Sequence, residues 1–572
     1  MTGSAPVDGA GRPAGAEVSV DADPITLEII QASLQAIGDE MFAALRKTAM
    51  SAIIYEVLDA GAAITDPAGN LASAGAGIPT FVAVLDKAVK RIIELHGVDT
   101  VSQGDVYLTN DPFYGGVTHL NDVVLAQPVF CDGRLIAWTG TIAHFNDVGG
   151  MVAGSISADA SEIFQEGLRL PAVKLVDAGE PIGSVFEIMR VNSRLPDFLR
   201  GDLWAEIACV RLGERRLAEL ARKYGIDTYL LAVQRLLEHG EQVMLRALAD
   251  LPAGHFECEE EQDNGTIFRV ALDITDDEFI VDMRGNPPQD RGSANVSRDG
   301  SLIAAQIALM NIAAIDGSAN AGHFAPLRLI TEPGTVFDPA PTAACSIYSE
   351  VRIRMSDLIF QCLAPVLGDR LPAGGFSSIC GTFISGPHPD SGRHFTIVEP
   401  QVGGWGASTS RDGNDAMFSA FHGNTFNCPA EIAEARYGMI VERLALTDDE
   451  EGGEGRFRGG KGIVLEYRIR GEGCIFTCAY TRHRHLPWPS DGGRSGSPNY
   501  TEIVRGDGSV ERYAVVTGVP LQVGDVIRIH TGTGAGCGDP RERARELVLA
   551  DIRDGLVSEA RSAQVYGPPR AE

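Results

Sequence analysis

Two phrases of the chain nearly repeat, THLNDV at residues 118–123 and AHFNDV at residues 143–148. Each carries one of only 12 histidines, His119 and His144, and each histidine is followed three residues later by a carboxylate, Asp122 and Asp147. Two imidazoles and one carboxylate are a donor set for a borderline divalent cation. Three protein ligands leave coordination positions open, as a catalytic site requires. A cation so held acidifies water or polarises a carbonyl. The competing reading is structural: imidazoles that hydrogen-bond loop backbone and aspartates that cap turns.

Positioning these residues is the task of a hairpin. Asp132 and Gly133 are a two-residue turn signal between apolar strands, VVLAQPVF before and LIAWTGTIA after. Counting outward from that turn in an ideal antiparallel ladder puts His144 opposite Asn121, with His119 two residues further along the same face. Asn121 therefore joins the two histidines as a candidate ligand. Asp122 points to the opposite face in that register, so a bulge or the end of pairing must turn it inward.

Around the hairpin, an amphipathic helix is expected after the Asp23 cap and Pro24, with Ile30, Leu34, Ile37, Met41 and Leu45 at helical spacing. A helical region follows over about 203–251, and a second hairpin turns through Asn264 and Gly265. Near the end, Asp539 caps a helix opened by Pro540 and closed by Gly555. The expected fold class is α+β: mixed, largely antiparallel sheets with packed helices rather than alternating βαβ units. The first 22 residues read as a disordered tail. The rest, 23–568, is long enough for sub-units at about 23–252, holding the candidate ligands, 253–400 in the centre, and a glycine-rich 401–568.

A net charge of -29 argues against a nucleic-acid backbone or an anionic membrane as partner, and no run reaches 18 uninterrupted apolar residues. The ten cysteines are scattered, Cys474 and Cys478 lacking the second pair of a zinc ribbon. They read as reduced thiols of a cytoplasmic protein. GEGRFRGGKG places Gly455, Gly460 and Lys461 at phosphate-loop spacing, but Gly462 stands where a Ser or Thr would hold magnesium, and a strand follows. TGTGAGCGDP lacks the third glycine of a dinucleotide loop and reads as a tight turn. In TRHRH, strand alternation would put Arg482 and Arg484 on one face and His483 and His485 on the other, a solvated edge or, alternatively, a phosphate dock. His422 and Glu431, the first and last residues of HGNTFNCPAE, are structural or substrate-facing.

These phrases, with DPITLEIIQ, GDVYLTNDPFYGGVTHLNDV, SANAGHFAPLRLITEPGTVFDP, GRFRGGKGIVLEYRI and DGLVSEARSAQVYG, make the chain resemble the hydantoinase B family from about Asp23 to Gly567. That family includes the B components of ATP-dependent hydantoinases and 5-oxoprolinases, lactam hydrolases, and the alpha components of acetone-type carboxylases. The resemblance implies a metal, zinc or manganese, held by His119, Asp122 and His144, since in the family's carboxylase members the ligands are a His, an Asp three residues on and a His 25 after the first. It implies for Asp147 a further ligand, an orienting carboxylate or a proton acceptor, and for Asn110 and Asp111 a role in shaping the loop.

Two departures leave the substrate open: GIPTFVAVLDKAV replaces the Pro-x-His-Leu-Gly phrase of many members, and Asn121 replaces their proline. The implied function is that of the metal-containing subunit of an ATP-dependent cyclic amide hydrolase acting on hydantoin, oxoproline or lactam rings. It would work in a hetero-oligomer with a hydantoinase A-type subunit that binds ATP and magnesium. The alternatives are a subunit of an ATP-dependent ketone carboxylase and a non-catalytic scaffold.

Overall fold

The computed structural model describes residues 23–567, apart from 369, 424 and 448–451; the stretch 1–22, read above as a tail, lies outside the described residues. The chain opens with α1 (Pro24–Thr48), whose cap Asp23 accepts from the Ile25 amide and whose buried face carries Ile30, Leu34, Ile37, Met41 and Leu45, as the spacing requires. After α2 (Ala52–Tyr55), the strands β1 (Ala60–Thr65), β2 (Leu71–Gly77), β3 (Val106–Thr109), β4 (Asp122–Cys131), β5 (Arg134–His144), β6 (Val173–Asp177) and β7 (Glu180–Pro181) form one sheet. Its order is β2-β1-β5-β4-β3-β6-β7, with antiparallel neighbours throughout.

Three helices occupy the connections or follow: α3 (Pro79–His96), α4 (Gly183–Asn192) and α5 (Pro196–Tyr224). The helical region read at 203–251 is thus α5 and then α6 (Ile226–Ala249), separated at Gly225, whose φ of 88° breaks the helix. Helices α1 and α5 cover one face of the sheet and α3 the other, so β4 and the inner part of β5 are buried on both faces. That is why they read as nearly continuous apolar runs. Val123, Leu125 and Val129 pack toward α1 and α5. Val124 and Ile142 pack toward Phe81 and Leu85 of α3.

Beyond α6, β8 (Gly254–Glu261), β9 (Ile267–Ile274), β10 (Phe279–Asp282) and β11 (Leu327–Ile330) form a second sheet, whose β10–β11 pair is parallel. Gly265, with φ 83°, turns the expected β8–β9 hairpin. Two helices, α7 (Arg298–Ala313) and α8 (Tyr348–Leu363), pack on each other, and α7 also packs on α3. The last strands are β12 (Gly381–Pro387), β13 (His394–Glu399), β14 (Met439–Leu446), β15 (Ile463–Ile469), β16 (Ile475–Ala479), β17 (Tyr500–Val504), β18 (Val510–Tyr513), β19 (Val515–Pro520) and β20 (Val526–His530). They make two antiparallel sheets, β13-β12-β16-β19 and β14-β15-β20-β17-β18. The helices of this part are α9 (Ala430–Tyr437), α10 (Arg545–Arg553) and α11 (Glu559–Val565).

Two details correct the sequence reading. Pro540 opens only a short 3-10 turn capped by Asp539, and the helix proper begins at Arg545. The TRHRH segment is not a strand: Arg482 has φ 62° and is buried, whereas Arg484 is exposed. Glu431 stands exposed in the first turn of α9. The glycine loop at 455–462 behaves as anticipated, leading into β15. A Cβ on Gly460 would come within 1.9 Å of the Asn414 carbonyl oxygen, so backbone, not a phosphate, fills that loop. No helix among the described residues is long and apolar enough to cross a membrane. All ten cysteines are unpaired and nine are buried.

Candidate metal centre

The site is built by the end of the β4–β5 hairpin. Asp132 and Gly133 both take positive φ, 49° and 80°, the twist of a tight hairpin turn. Cys131 pairs with Arg134 and Phe130 with Leu135, but Val129 then pairs with Ala137, so Ile136 is an extra residue in β5. This bulge shifts the register by one over the rest of the ladder and sets Asp122 directly opposite His144. Asp122 is thereby turned inward by the irregularity the sequence reading demanded.

Asn121 is correspondingly lost to the site. Its amide donates to the carbonyls of Phe145 and Gly154 instead. A turn closed by the Asp122 amide on the His119 carbonyl folds His119 back over Asp122. Asn110 steadies that turn by donating to the Leu120 carbonyl, and Asp111 accepts from Phe113, Tyr114 and Arg169, both in the loop-shaping roles expected of them.

The result is three donor atoms in a tight triangle. His119 Nε2 and His144 Nδ1 each lie 3.1 Å from Asp122 Oδ1 and 3.3 Å from one another. Donor atoms bound at about 2.0–2.2 Å to one ion stand roughly 3.0–3.5 Å apart across angles of 90–110°. The triangle therefore fits a cation, and among the described residues these three form the group whose ligand atoms converge. Proton accounting points the same way. His119 Nδ1 is 3.1 Å from the Ser346 carbonyl oxygen, which only accepts, so Nδ1 carries the hydrogen and Nε2 of the neutral ring presents a lone pair. A lone pair facing a carboxylate oxygen at 3.1 Å is repulsive unless a positive charge lies between or on them.

The other carboxylate oxygen, Asp122 Oδ2, accepts from the Thr118 hydroxyl and, at 3.2 Å, from the Tyr348 hydroxyl, which leaves Oδ1 to the triangle. Burial raises the Asp122 carboxyl, but positive charge at the two imidazoles outweighs it and holds the group well below the usual carboxylate range; protonated rings supply that charge, and a bound cation would supply it to neutral ones.

Asp147 takes no place in the triangle. Its Oδ1 accepts from the amides of Gly149 and Arg194, and its Oδ2 accepts from the Gly154 amide and the Arg194 guanidinium. With both oxygens engaged, it latches the loop after β5 to the start of α5, so the two matching phrases serve different ends. The triangle opens into a cavity of about 60 Å3 that Asp59, Tyr348, Arg352 and His422 also border. That space exceeds what one water needs. Burial, then the nearby Arg352 charge, pushes His422 down to about 3, so this imidazole is neutral, and its Nδ1 has no hydrogen-bond partner among the described residues. Burial pushes Asp59 up to about 7.

His422 stood out in the sequence as structural or substrate-facing, whereas Asp59, Tyr348 and Arg352 carry no such mark there. Tyr348 and Arg352 lie one helical turn apart on α8, more than 200 residues from the hairpin. The available signal was a segment, YSEVRIRMSD, that at helical spacing sets Glu350, Arg354 and Asp357 on one face and Arg352 on the opposite one.

Glu166 fixes the segment that orients His119, accepting from the amides of Cys345 and Ser346. Burial pushes its carboxyl up to about 7 from an ordinary 4.5, partly offset by those amides. The folded chain therefore keeps a proton that the unfolded chain releases. The stabilisation this gives is complete below about pH 4.5 and is lost as pH rises through 7, a change of roughly 3 kcal/mol. Glu166→Gln is expected to flatten that part of the pH profile of unfolding, measured by denaturant titration between pH 4.5 and 7.5.

Residues 23–540 match the family described as Hydantoinase B/oxoprolinase. The chain belongs to that family. It is 29% identical over 573 residues to the B component of a putative D-/L-hydantoinase of Pseudomonas sp. (strain NS671), covering 95% of both chains. Its fold matches the crystal structure of an ATP-dependent caprolactamase from Pseudomonas jessenii with a TM-score of 0.89 at 28% identity, over 96% of this chain and 98% of that one. It also matches a nucleotide-free acetone carboxylase structure, TM-score 0.87, over 95% of this chain and 79% of that one. At 18% identity that likeness concerns the fold alone.

Proposed function

We propose that this chain is the metal-holding subunit of an ATP-dependent cyclic amide hydrolase, working with a hydantoinase A-type subunit that binds ATP and magnesium. The observation that carries the reading is the triangle of His119 Nε2, Asp122 Oδ1 and His144 Nδ1, with separations of 3.1–3.3 Å. A divalent cation there, zinc or manganese, supplies Lewis-acid activation of water and of the substrate's oxygen. The relatives named as a hydantoinase component and as a caprolactamase support a ring amide as substrate. The unpaired cysteines are in keeping with a cytoplasmic location.

In this reading the partner transfers phosphate from ATP to the amide oxygen, which makes the ring carbon a better electrophile. Addition of water to that carbon and cleavage of its C–N bond, with a proton passing to nitrogen, leave an amine and an acyl phosphate. A second water takes the acyl phosphate to carboxylate and inorganic phosphate. The residues of this chain have distinct tasks. Ser346 fixes the His119 tautomer, Tyr348 and Thr118 aim Asp122, and neutral His422 borders the cavity with a ring nitrogen left to hydrogen-bond a ligand. Asp147 keeps the neighbouring loop in place through Arg194.

Removing the hydroxyl that aims Asp122, in Tyr348→Phe, is expected to weaken metal binding about tenfold, read by competition with a chelator. The test of the reading is to co-purify the chain with its partner subunit and assay ADP release with hydantoins, lactams and oxoproline. Ring opening without bicarbonate is expected. Turnover of ketones that requires bicarbonate would favour the carboxylase alternative, and a metal-free complex with full activity would leave only the scaffold.

A further inference from the structure

Helix α8 is enclosed along almost its whole length, so each of its charges needs compensation. Glu350 accepts from the Ile379 amide and from the amide and hydroxyl of Thr481. Arg354 pairs with Asp357 and Glu260, and Asp357 pairs also with Arg482. Arg352 stands apart. It is 0% exposed, and among the described residues its only hydrogen bond runs from Nη1 to the Thr80 hydroxyl, while Nε and Nη2 have no partner. The guanidinium lies over the rings of Tyr348 and Phe421, at 5.3 and 5.0 Å, and borders the same cavity as the ligand triangle.

Two unmade N–H groups on a buried cation are costly, and they lie on one edge of a planar fork whose geometry matches two oxygens of a carboxylate or phosphoryl group. Nearby carboxylates act on Arg352 only through space: Asp122, Asp59 and Glu350 raise its basicity, yet burial prevails and the net effect is a lowering.

We infer that Arg352 is an oxyanion receptor beside the ligand triangle, its Nε and Nη2 gripping either the phosphoryl group of an activated substrate or the carboxylate of the opened product. The identity of the anion rests on the proposed hydrolase function; the existence of an anion site does not. Of the two sources, phosphoryl brings more charge to a single fixed cation and is expected to bind tighter.

Calorimetric titration of the full-length chain, with and without zinc, with inorganic phosphate and separately with acetate tests this. Wild type is expected to bind phosphate. Arg352→Gln should weaken binding roughly 10- to 100-fold. Arg352→Lys keeps the charge but loses the fork, so a smaller loss is expected, and Arg134→Gln, at an exposed arginine beside the hairpin turn, the opposite end of β5 from His144, should leave binding unchanged. Binding of acetate with equal dependence on Arg352 would assign the site to the product carboxylate; phosphate alone would assign it to the phosphoryl group. Wild type that binds neither anion, or an Arg352→Gln chain that binds both as wild type does, overturns the inference. If Arg352→Gln does not fold, unchanged affinity in Arg352→Lys overturns it equally. Metal content is measured on the same samples, so an absent metal with Arg352-dependent phosphate binding would sink the metal reading while sparing this one.

Discussion

His119→Ala, assayed in complex with the ATP-binding subunit, is expected to lose its divalent metal and to lower kcat for ring opening by on the order of 1,000-fold or more. His144→Ala should do the same. Each imidazole supplies one of three converging donor atoms, and two donors at 3.1 to 3.3 Å from the vacated position leave a cation under-coordinated. Asp122→Asn tests the charge separately. It keeps the volume, so loss of metal with retained folding would show that the anion, and not the shape, holds the ion. Asp147→Asn gives a contrast: it weakens the latch to Arg194 and lowers stability while leaving metal stoichiometry near that of wild type. Metal analysis by mass spectrometry, alongside steady-state kinetics, reads all four variants. Unchanged metal and turnover in His119→Ala would be incompatible with the proposed function.

The second large effect concerns stability. Arg482→Met is expected to lower unfolding free energy by about 3–5 kcal/mol, because it removes a buried cation and leaves its acidic partners under-compensated. Arg482 reaches Glu260 at 2.8 Å and Asp357, and it also donates to the carbonyls of His485 and Leu486. These four partners hold the residue in its left-handed conformation, φ 62°, against the steric cost to a residue with a Cβ. Combining Arg482→Met with Asp357→Asn should recover part of the loss, since one buried charge then goes with the other. Denaturant titration of both variants measures this, and a loss below about 1 kcal/mol would show that the cluster is not a keystone of the packing between β8 and α8.

What the sequence disclosed follows the range of the interactions involved. His119, Asp122 and His144 were readable because a single hairpin joins them, and a turn signal such as Asp132 and Gly133 fixes a local register. The readable part stopped one residue short, since nothing in LIAWTG marks Ile136 as an insertion, and the bulge exchanges Asn121 for Asp122 at the site. The fold class was likewise legible from apolar alternation and turn residues, and the antiparallel sheets with packed helices agree with it.

Long-range assembly was not legible. Tyr348 and Arg352 reach the hairpin through the packing of α8, α7 and α3, and that order of layers has no local signature. TRHRH failed for a related reason: alternation of charge and imidazole implies a two-faced strand only if the segment is extended, and the acidic partners that bury Arg482 lie 125 and 222 residues away. Asp147 failed through repetition itself. Two identical spacings suggested two similar uses, but the second aspartate follows the end of β5, where backbone amides and Arg194 claim it.

The most direct measurement is anomalous diffraction from crystals of the wild-type chain with its partner subunit, collected at the zinc and manganese edges. One peak per chain, at the centre of His119 Nε2, His144 Nδ1 and Asp122 Oδ1, is the predicted result. No peak there in crystals grown with both metals, or a peak bound elsewhere on the chain, would contradict the account at its root.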